Sequence, residues 1–207
     1  NWYNSRSSST YRSKLLRSYP DRKNIQKLTK PSNMDSKKDL LVITASNGEN
    51  LKLAKRFIDS AKQLGSQSEL LDLTSLDLPI YNPRTHKEQG IPSEIQSIYK
   101  QMLSIPRWVI CAPEYNGSIP PLLTNMIAWL SVQGDDFRLL FNGRPIAMAS
   151  FSGGGCMELL LSMRIQLTHL GAQVVGRQLT SNNSKPAKDE SIEDLLKRLF
   201  QMKPLKL

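Results

Sequence analysis

From residue 39 onward, the chain alternates between short apolar runs and longer stretches whose apolar residues recur every three or four positions. Residues 39–46, DLLVITAS, are apolar almost throughout, which predicts a strand buried on both faces. Residues 50–65 carry apolar side chains at helical spacing and end at Gly65, which predicts an α-helix. The same patterns predict further strands at 68–73, 107–113, 144–151 and 172–179, and further helices at 92–105, 121–133, 156–171 and 189–200.

Five strands that alternate with five helices predict a parallel β-sheet with helices on both faces. Because crossovers between parallel strands are right-handed, few strand orders remain, and the size of the chain favours the order 2-1-3-4-5. We therefore expect an α/β protein with a flavodoxin-like three-layer sandwich. Ligands of such sheets bind beyond the carboxyl ends of the strands, near the point where the strand order reverses.

Three loops at that edge are rich in Gly, Ser and Asn: ASNGEN at 45–50, APEYNGSIPP at 112–121 and SFSGGG at 150–155. In the first loop, Ser46 and Asn50 are candidate donors to a phosphate at the start of a helix. Helix capping alone is the alternative explanation of this loop. The loop has neither the GxGxxG spacing of a dinucleotide fingerprint nor the GK[ST] ending of a P-loop, which argues against both classes.

The stretch PEYNGSIPPLLTNMIAWLS at 113–131 resembles the NAD(P)H-dependent FMN reductase family, which includes azo-dye, quinone and chromate reductases. The resemblance continues through NGRPIAMASFSGGG at 142–155 and LTHLGAQVV at 167–175, and it covers residues 39–180. It implies a flavodoxin-like fold with non-covalently bound FMN, which NADPH or NADH reduces and a quinone, azo dye, chromate or free flavin reoxidises. In such enzymes the flavin performs the reaction, so no catalytic side chain is expected.

The resemblance also implies which residues hold the cofactor. The backbone of the turn after the third strand would face the polar edge of the isoalloxazine ring, and the glycine-rich loop would approach the ring from the other side. Tyr115 would pack against the ring or the ribityl chain, and Asn116 would orient the turn or bond the ribityl chain. The expected cofactor-binding residues are Ser46, Asn50, Pro113, Glu114, Tyr115, Asn116, Gly117, Ser152, Gly153 and Gly154. The resemblance further implies a homodimer or homotetramer formed through helix 121–133 and its neighbours.

The first loop departs from the family's pattern of Gly-Ser, an Arg and then Ser-x-Asn ahead of a Leu-Ala pair. Asn50, Leu53 and Ala54 match the end of this pattern, but Gly48 replaces its Ser, the Arg is absent and the loop is two or three residues shorter. Glu49 adds a negative charge. These differences predict a weaker hold on the FMN phosphate and leave the choice between NADPH and NADH open.

The positive charge of the chain is concentrated near its start. Residues 1–38 contain ten Lys or Arg and two acidic residues, whereas residues 39–207 contain eighteen basic and sixteen acidic ones. A near-neutral body argues against specific nucleic-acid binding. We expect residues 39–207 to form the flavin-binding domain. The basic, Ser-rich segment is either an artificial extension ahead of a natural start at Met34, an organellar targeting sequence, or an arm that docks on a neighbouring subunit.

Two cysteines and no run of about 18 apolar residues favour a cytoplasmic protein without a membrane span. His86 and His169 lack partners at metal-ligand spacing, so surface or capping roles are expected and no metal site is predicted. Cys111 is expected in the core, whereas Cys156 is either a small packing residue or a reactive thiolate at a helix start. Trp129 falls on the apolar stripe of helix 121–133 with Leu122, Ile127 and Leu130, so a position in the core or at a subunit interface is expected.

Two other functions remain compatible with the sequence. A non-catalytic flavodoxin-like electron carrier would share the fold, although such carriers tend to be acidic and to have a Thr-rich phosphate loop. A regulatory protein that kept the fold and lost the cofactor would explain the altered first loop. Oxidation of NAD(P)H without a partner reductase distinguishes the enzyme from the carrier, and titration with FMN distinguishes both from the regulatory protein.

Overall fold

The computed structural model describes residues 38–206, which form a β-sheet between two layers of helices. The basic segment at 1–38 lies outside the described residues except for Lys38, so its separation from the domain stays a prediction. The strands are β1 (Leu40–Thr44), β2 (Ser68–Asp72), β3 (Arg107–Cys111), β4 (Pro145–Phe151), β5 (Gln173–Val174) and β6 (Leu179–Ser181). The helices are α1 (Glu49–Gln63), α2 (Pro83–Gln89), α3 (Ser93–Ser104), α4 (Pro121–Leu130), α5 (Met157–His169) and α6 (Asp189–Gln201), with a 3-10 helix at Leu73–Ser75.

The sheet has the predicted order β2-β1-β3-β4-β5, and the strand pairs along it are parallel. In this register Thr44 at the end of β1 lies opposite Cys111 at the end of β3, and Cys111 lies opposite Ala149 of β4. The carboxyl ends of these three strands therefore finish side by side. The predicted flavodoxin-like sandwich is confirmed.

The last predicted strand, 172–179, forms two short strands that both pair with β4. From Gln173 to Leu179 the chain advances six residues, while β4 advances four residues from Pro145 to Ala149. Two extra residues therefore bulge out between β5 and β6 and interrupt the ladder. The pattern AQVVGRQL is apolar enough for one strand, and only the register shows the interruption.

Both faces of the sheet are buried, as its apolar strands predict. On one face, Leu41 and Ile43 of β1 belong to the core that α3, α4 and α5 cover, and on the other, Leu40 and Val42 pack with α1 and α6. All four side chains are at most 2 % exposed. Burying each large apolar side chain stabilises the fold by about 1.5–3 kcal/mol, so the sheet is a firm base for the loops at its edge.

The segment between β2 and α3, whose Pro, Asn and Asp residues predict a loop, contains the 3-10 helix and α2. This segment is fastened to α4 by side-chain hydrogen bonds. Asn125 Oδ1 accepts from the Tyr81 N–H (2.7 Å), and Asn125 Nδ2 donates to the Pro79 carbonyl oxygen (3.0 Å). Trp129 Nε1 donates to the same carbonyl at 2.8 Å. The buried Trp129 is therefore a core residue that also anchors the segment before α2.

Of the four residues on the apolar stripe predicted for α4, three lie in the core of this chain. Ile127, Trp129 and Leu130 are buried, but Leu122 is 42 % exposed. Leu122 is the second residue of a helix that begins at Pro121, and it lies on the outer side of the first turn. Within residues 38–206, no helix combines the length and apolarity that crossing a bilayer requires.

Candidate functional site

The loops after β1, β3 and β4 meet at the carboxyl edge of the sheet, as predicted from the sequence. A hydrogen bond from the Ala45 N–H to the Cys111 carbonyl (3.1 Å) joins the ends of β1 and β3. A second bond, from the Ala112 N–H to the Ala149 carbonyl (3.1 Å), joins β3 to β4. All ten candidate cofactor-binding residues lie in these three loops or, for Asn50, in the first turn of α1.

The central turn, residues 115–118, is a tight hairpin. The Tyr115 N–H donates to the Ser118 carbonyl (3.1 Å), and the Ser118 N–H donates to the Tyr115 carbonyl (2.9 Å). Asn116 and Gly117 between them have φ of 51° and 67°. Positive φ at both central positions is the signature of a type I′ turn, for which Asn-Gly is the preferred pair. The sequence YNGS therefore builds a rigid turn by local chemistry alone.

This turn leaves backbone donors without partners. Among the described residues, no hydrogen-bond partner is present for the N–H of Glu114, Asn116 or Gly117. The N–H of Tyr115 is hydrogen-bonded inside the turn. Of the four backbone N–H groups at 114–117 that were expected to contact a ligand, three are therefore free. The Tyr115 side chain is 51 % exposed. A rigid, exposed row of N–H groups beside an aromatic ring suits a flat ligand with acceptor atoms along one edge.

Glu114 connects the central turn to the glycine-rich loop. Its Oε2 accepts from the backbone N–H of Leu159 in the first turn of α5 (3.2 Å). Its Oε1 lies close to Gly154, where a Cβ would come within 3.4 Å of it. The N-cap residue of α5, Cys156, makes no capping bond with its own side chain. Glu114 therefore caps α5 from another loop, and its charge is favourable at a helix N-terminus.

Asn50 connects the first loop to the end of β4. Its Nδ2 donates to the Phe151 carbonyl (2.8 Å), and its Oδ1 accepts from the Phe151 N–H (2.9 Å). The residue is 2 % exposed. Asn50 was expected to donate to a phosphate, whereas here both ends of its amide are engaged by one backbone residue. Direct contact with a ligand stays a prediction for Asn50, and its evident role is to fix two loops together.

The first loop has only four residues, 45–48, between β1 and α1. Thr44 Oγ1 donates to the Ser46 carbonyl (2.8 Å), and the Gly48 N–H donates to Ser46 Oγ (3.2 Å). These bonds shape the loop and leave the Ser46 hydroxyl hydrogen available to a ligand. The loop is short, as its sequence predicts, and it ends directly at the first turn of α1.

The glycine-rich loop is held at both ends. The Ser152 N–H donates to the Ser181 carbonyl of β6 (3.1 Å), and the Gly154 N–H lies 3.4 Å from Ser152 Oγ. Cys156, which ends the loop, is 1 % exposed, with Sγ 3.9 Å from the Ser150 carbonyl and 3.7 Å from the Ser181 carbonyl. Of the two roles open to Cys156, the structure therefore supports packing, because an accessible thiolate needs solvent contact.

The other cysteine and the two histidines lie outside the candidate site. Burial raises the pKa of the Cys111 thiol far above its usual range, as expected for a core residue. His86 in α2 is half-buried, with its ring centroid 6.0 Å from that of Tyr81 and 5.9 Å from that of Trp129. His169 is exposed. In the part of the chain that the structure describes, no group of three or more potential ligands could hold a metal ion.

A groove of about 320 Å³ lies outside the three loops, between α1 and α6. Its lining residues are Arg56, Asp59, Ser60, Gln63, Asp189 and Glu193. Arg56 and Asp189 already form an ion pair at 2.6 Å. The groove is lined by polar and charged side chains alone, and the cavity in the core has a volume of only about 10 Å³, too small for an organic ligand. The three loops at the sheet edge therefore remain the candidate site.

The central turn makes a specific prediction about stability. Replacing Gly117 with alanine should lower the free energy of unfolding of the ligand-free protein by about 1–2 kcal/mol, because alanine is strained at positive φ. The added Cβ would lie 3.8 Å from the Glu158 Cβ, an ordinary contact, so strain is the only cost. Gly153→Ala is the matched control, since a Cβ there meets nothing within 4 Å and should change stability by less than about 0.5 kcal/mol. Equal urea midpoints for both variants would contradict the turn assignment.

Comparison with known proteins bears on the ligand of this site. The model of the family described as NADPH-dependent FMN reductase matches residues 39–186. Curated quinone reductases from Escherichia coli K12 and Shigella flexneri are 31 % identical to this chain over 103 residues, which are 49 % of this chain and 53 % of each relative. The chain thus spans about half the length of the curated relatives it matches.

Solved structures confirm the fold. FerB from Paracoccus denitrificans, described as a flavoenzyme NAD(P)H:(acceptor) oxidoreductase, matches with a TM-score of 0.64 at 19 % identity, over 80 % of this chain and 99 % of FerB. An azoreductase from Bacillus anthracis str. Sterne matches with a TM-score of 0.55 at 16 % identity, over 80 % of this chain and 96 % of that protein. At these identities the likeness establishes the architecture and not the substrate.

Proposed function

Because this chain belongs to the NADPH-dependent FMN reductase family, we propose that it is an NAD(P)H-dependent flavin oxidoreductase that binds FMN non-covalently. The reductant is NADPH or NADH, and the acceptor is a small molecule such as a quinone, an azo dye, chromate or free flavin. The observation that carries this proposal is the type I′ turn, whose three unpartnered N–H groups lie beside a glycine-rich loop at the carboxyl edge of the sheet.

The residues at the ring end of the site fit a flavin. The N–H groups of Glu114, Asn116 and Gly117 would meet the acceptor atoms along the polar edge of the isoalloxazine ring. The exposed backbone of Gly153 and Gly154 would allow close approach from the other side, because glycine has no side chain of its own. When bound, FMN supplies the redox chemistry by taking a hydride from the nicotinamide and passing electrons to the acceptor.

The role of the protein in this reaction is to bind the flavin and to orient the nicotinamide and the acceptor against it. The half-exposed ring of Tyr115 would form one wall of the slot in which the nicotinamide and the acceptor lie in turn. Because both substrates need this slot, they would react alternately, in a ping-pong order. No side chain is required as a nucleophile or as a general acid or base.

We also propose that the chain works as a homodimer or homotetramer. The outer face of α4 and α5 supports this, because it carries large apolar side chains that are 42–72 % exposed, namely Leu122, Met157, Leu161 and Ile165. Three of them recur every four residues along α5 and therefore share one side of the helix.

The flavin-binding domain is proposed to span residues 39–207, and the location is proposed to be cytoplasmic, in line with two free, buried cysteines.

Steady-state kinetics test the proposed activity. The purified protein, loaded with FMN, should oxidise NADH or NADPH without a partner reductase when it is given a quinone, an azo dye, chromate or free flavin. Double-reciprocal plots at several acceptor concentrations should give parallel lines, as a ping-pong order requires. Flavin-loaded protein that oxidises neither nicotinamide with any of these acceptors would contradict the proposal and favour a non-catalytic role.

A further inference from the structure

The start of α1 faces the site with backbone donors but little positive charge. Its N-cap residue, Gly48, has no side chain to cap the helix, and among the described residues the N–H groups of Glu49 and Asn50 have no partner. Such amides, together with the helix dipole, attract an anion. On geometry alone, this helix end could receive the phosphate of a bound flavin nucleotide.

The side chains around this helix end oppose a phosphate. Glu49 places a carboxylate at the first helical position, where its negative charge already interacts favourably with the positive end of the helix dipole. The first cation along the helix, Lys52, is paired with it, with Lys52 Nζ 2.6 Å from Glu49 Oε1. The amide of Asn50, the other polar side chain of this turn, is engaged by Phe151. A dianionic phosphate would therefore meet backbone donors and the Ser46 hydroxyl, but it would also meet a carboxylate, and the nearest lysine is already paired with that carboxylate.

We propose that this protein selects its flavin through the ring and the ribityl chain rather than through the phosphate, and that Glu49 sets this selectivity. The proposal rests on the proposed flavin-binding function and defines its ligand class as flavins with or without the phosphate. Riboflavin should then bind with an affinity within about tenfold of that of FMN, a difference of less than 1.4 kcal/mol.

The competing possibility is that a lysine from another loop binds the phosphate. Two exposed lysines, Lys185 and Lys188, lie in the loop that precedes α6. Arg56 of α1 donates to the Ala187 carbonyl (2.8 Å), so this loop lies near α1. If either lysine reached the phosphate, FMN would bind much more tightly than riboflavin, and its affinity would fall steeply as salt is added. The comparison of the two flavins therefore separates the two arrangements.

Calorimetric titration of the apo protein with FMN and with riboflavin tests the proposal. We expect the two dissociation constants to differ by less than about tenfold. Glu49→Gln should strengthen FMN binding about two- to fivefold, because it removes the repulsion and frees Lys52, and should leave riboflavin binding unchanged. Glu94→Gln is the matched control, since Glu94 is an exposed acid in the first turn of α3 and should affect neither flavin.

The possible results are distinct. FMN binding more than about tenfold tighter than riboflavin would overturn the proposal, as would a Glu49→Gln change that moves both affinities equally or neither. Riboflavin and FMN binding at similar strength, with Glu49→Gln improving FMN alone, would support it. Failure of both flavins to bind would instead contradict the proposed function on which this inference rests, and would overturn both.

Discussion

Replacing Asn50 with alanine should lower the free energy of unfolding by about 2–4 kcal/mol, because it leaves the N–H and carbonyl of Phe151 without partners. Both bonds have the ordinary length of a well-formed hydrogen bond, 2.8 and 2.9 Å, and Asn50 is 2 % exposed. Asn50→Asp should be destabilising as well, because it sets a carboxylate against the Phe151 carbonyl. Urea unfolding of the apo protein, followed by circular dichroism, measures both effects.

Asn47→Ala is the matched control for this prediction. Asn47 lies in the same short loop, but its side chain is exposed and, among the described residues, makes no hydrogen bond. Its removal should change stability by less than about 0.5 kcal/mol. If Asn50→Ala unfolded at the same urea concentration as Asn47→Ala, the link between the first loop and β4 would not contribute to the fold as described.

Replacing Glu114 with alanine should weaken FMN binding and destabilise the protein by about 0.5–2 kcal/mol, the usual cost of losing a helix cap. The Glu114 carboxylate accepts from the Leu159 N–H at 3.2 Å, so its loss releases the first turn of α5 from the central turn. The free N–H groups of the turn and the glycine-rich loop would then no longer be held in one arrangement. Thermal unfolding of the apo protein and titration with FMN measure the two effects separately.

Glu114→Gln distinguishes positioning from a simple loss of volume or charge. Glutamine keeps an oxygen that can accept from Leu159, so it should recover most of the stability and most of the FMN affinity. Amide hydrogen exchange at Leu159 in the apo protein reports the bond directly, and it should be fast in Glu114→Ala and slow in Glu114→Gln. Exchange at Leu159 that is equally slow in all three proteins would rule out this role for Glu114.

The fold could be predicted because its elements are encoded locally. Buried parallel strands are continuous apolar runs, and the helices between them have apolar residues at helical spacing, so both can be identified without tertiary information. The short helix α2 could not be predicted this way. Its sequence, PRTHKEQ, has no apolar stripe, and the segment is held in place from outside, through the bonds that Asn125 and Trp129 make to Pro79.

The candidate site was predictable in position and only partly in detail. Its three loops are recognisable from Gly, Ser, Asn and Pro at the ends of strands, and the Asn-Gly pair predicts its own turn type. The two links between loops were not predictable, because they join residues far apart in sequence. Asn50 and Phe151 are separated by 101 positions, and Glu114 and Leu159 by 45. Asn50 and Glu114 were expected to contact a ligand, because polar residues beside a binding loop suggest ligand contacts. The sequence alone does not show that each has a hydrogen-bond partner within the protein.

The crystal structure of the protein with FMN tests the central claim most directly. The isoalloxazine ring should lie between the N–H groups of Glu114, Asn116 and Gly117 and the backbone of residues 152–154, with its acceptor edge toward the central turn. Flavin density elsewhere, or a crevice occupied by the protein's own side chains at saturating FMN, would contradict it.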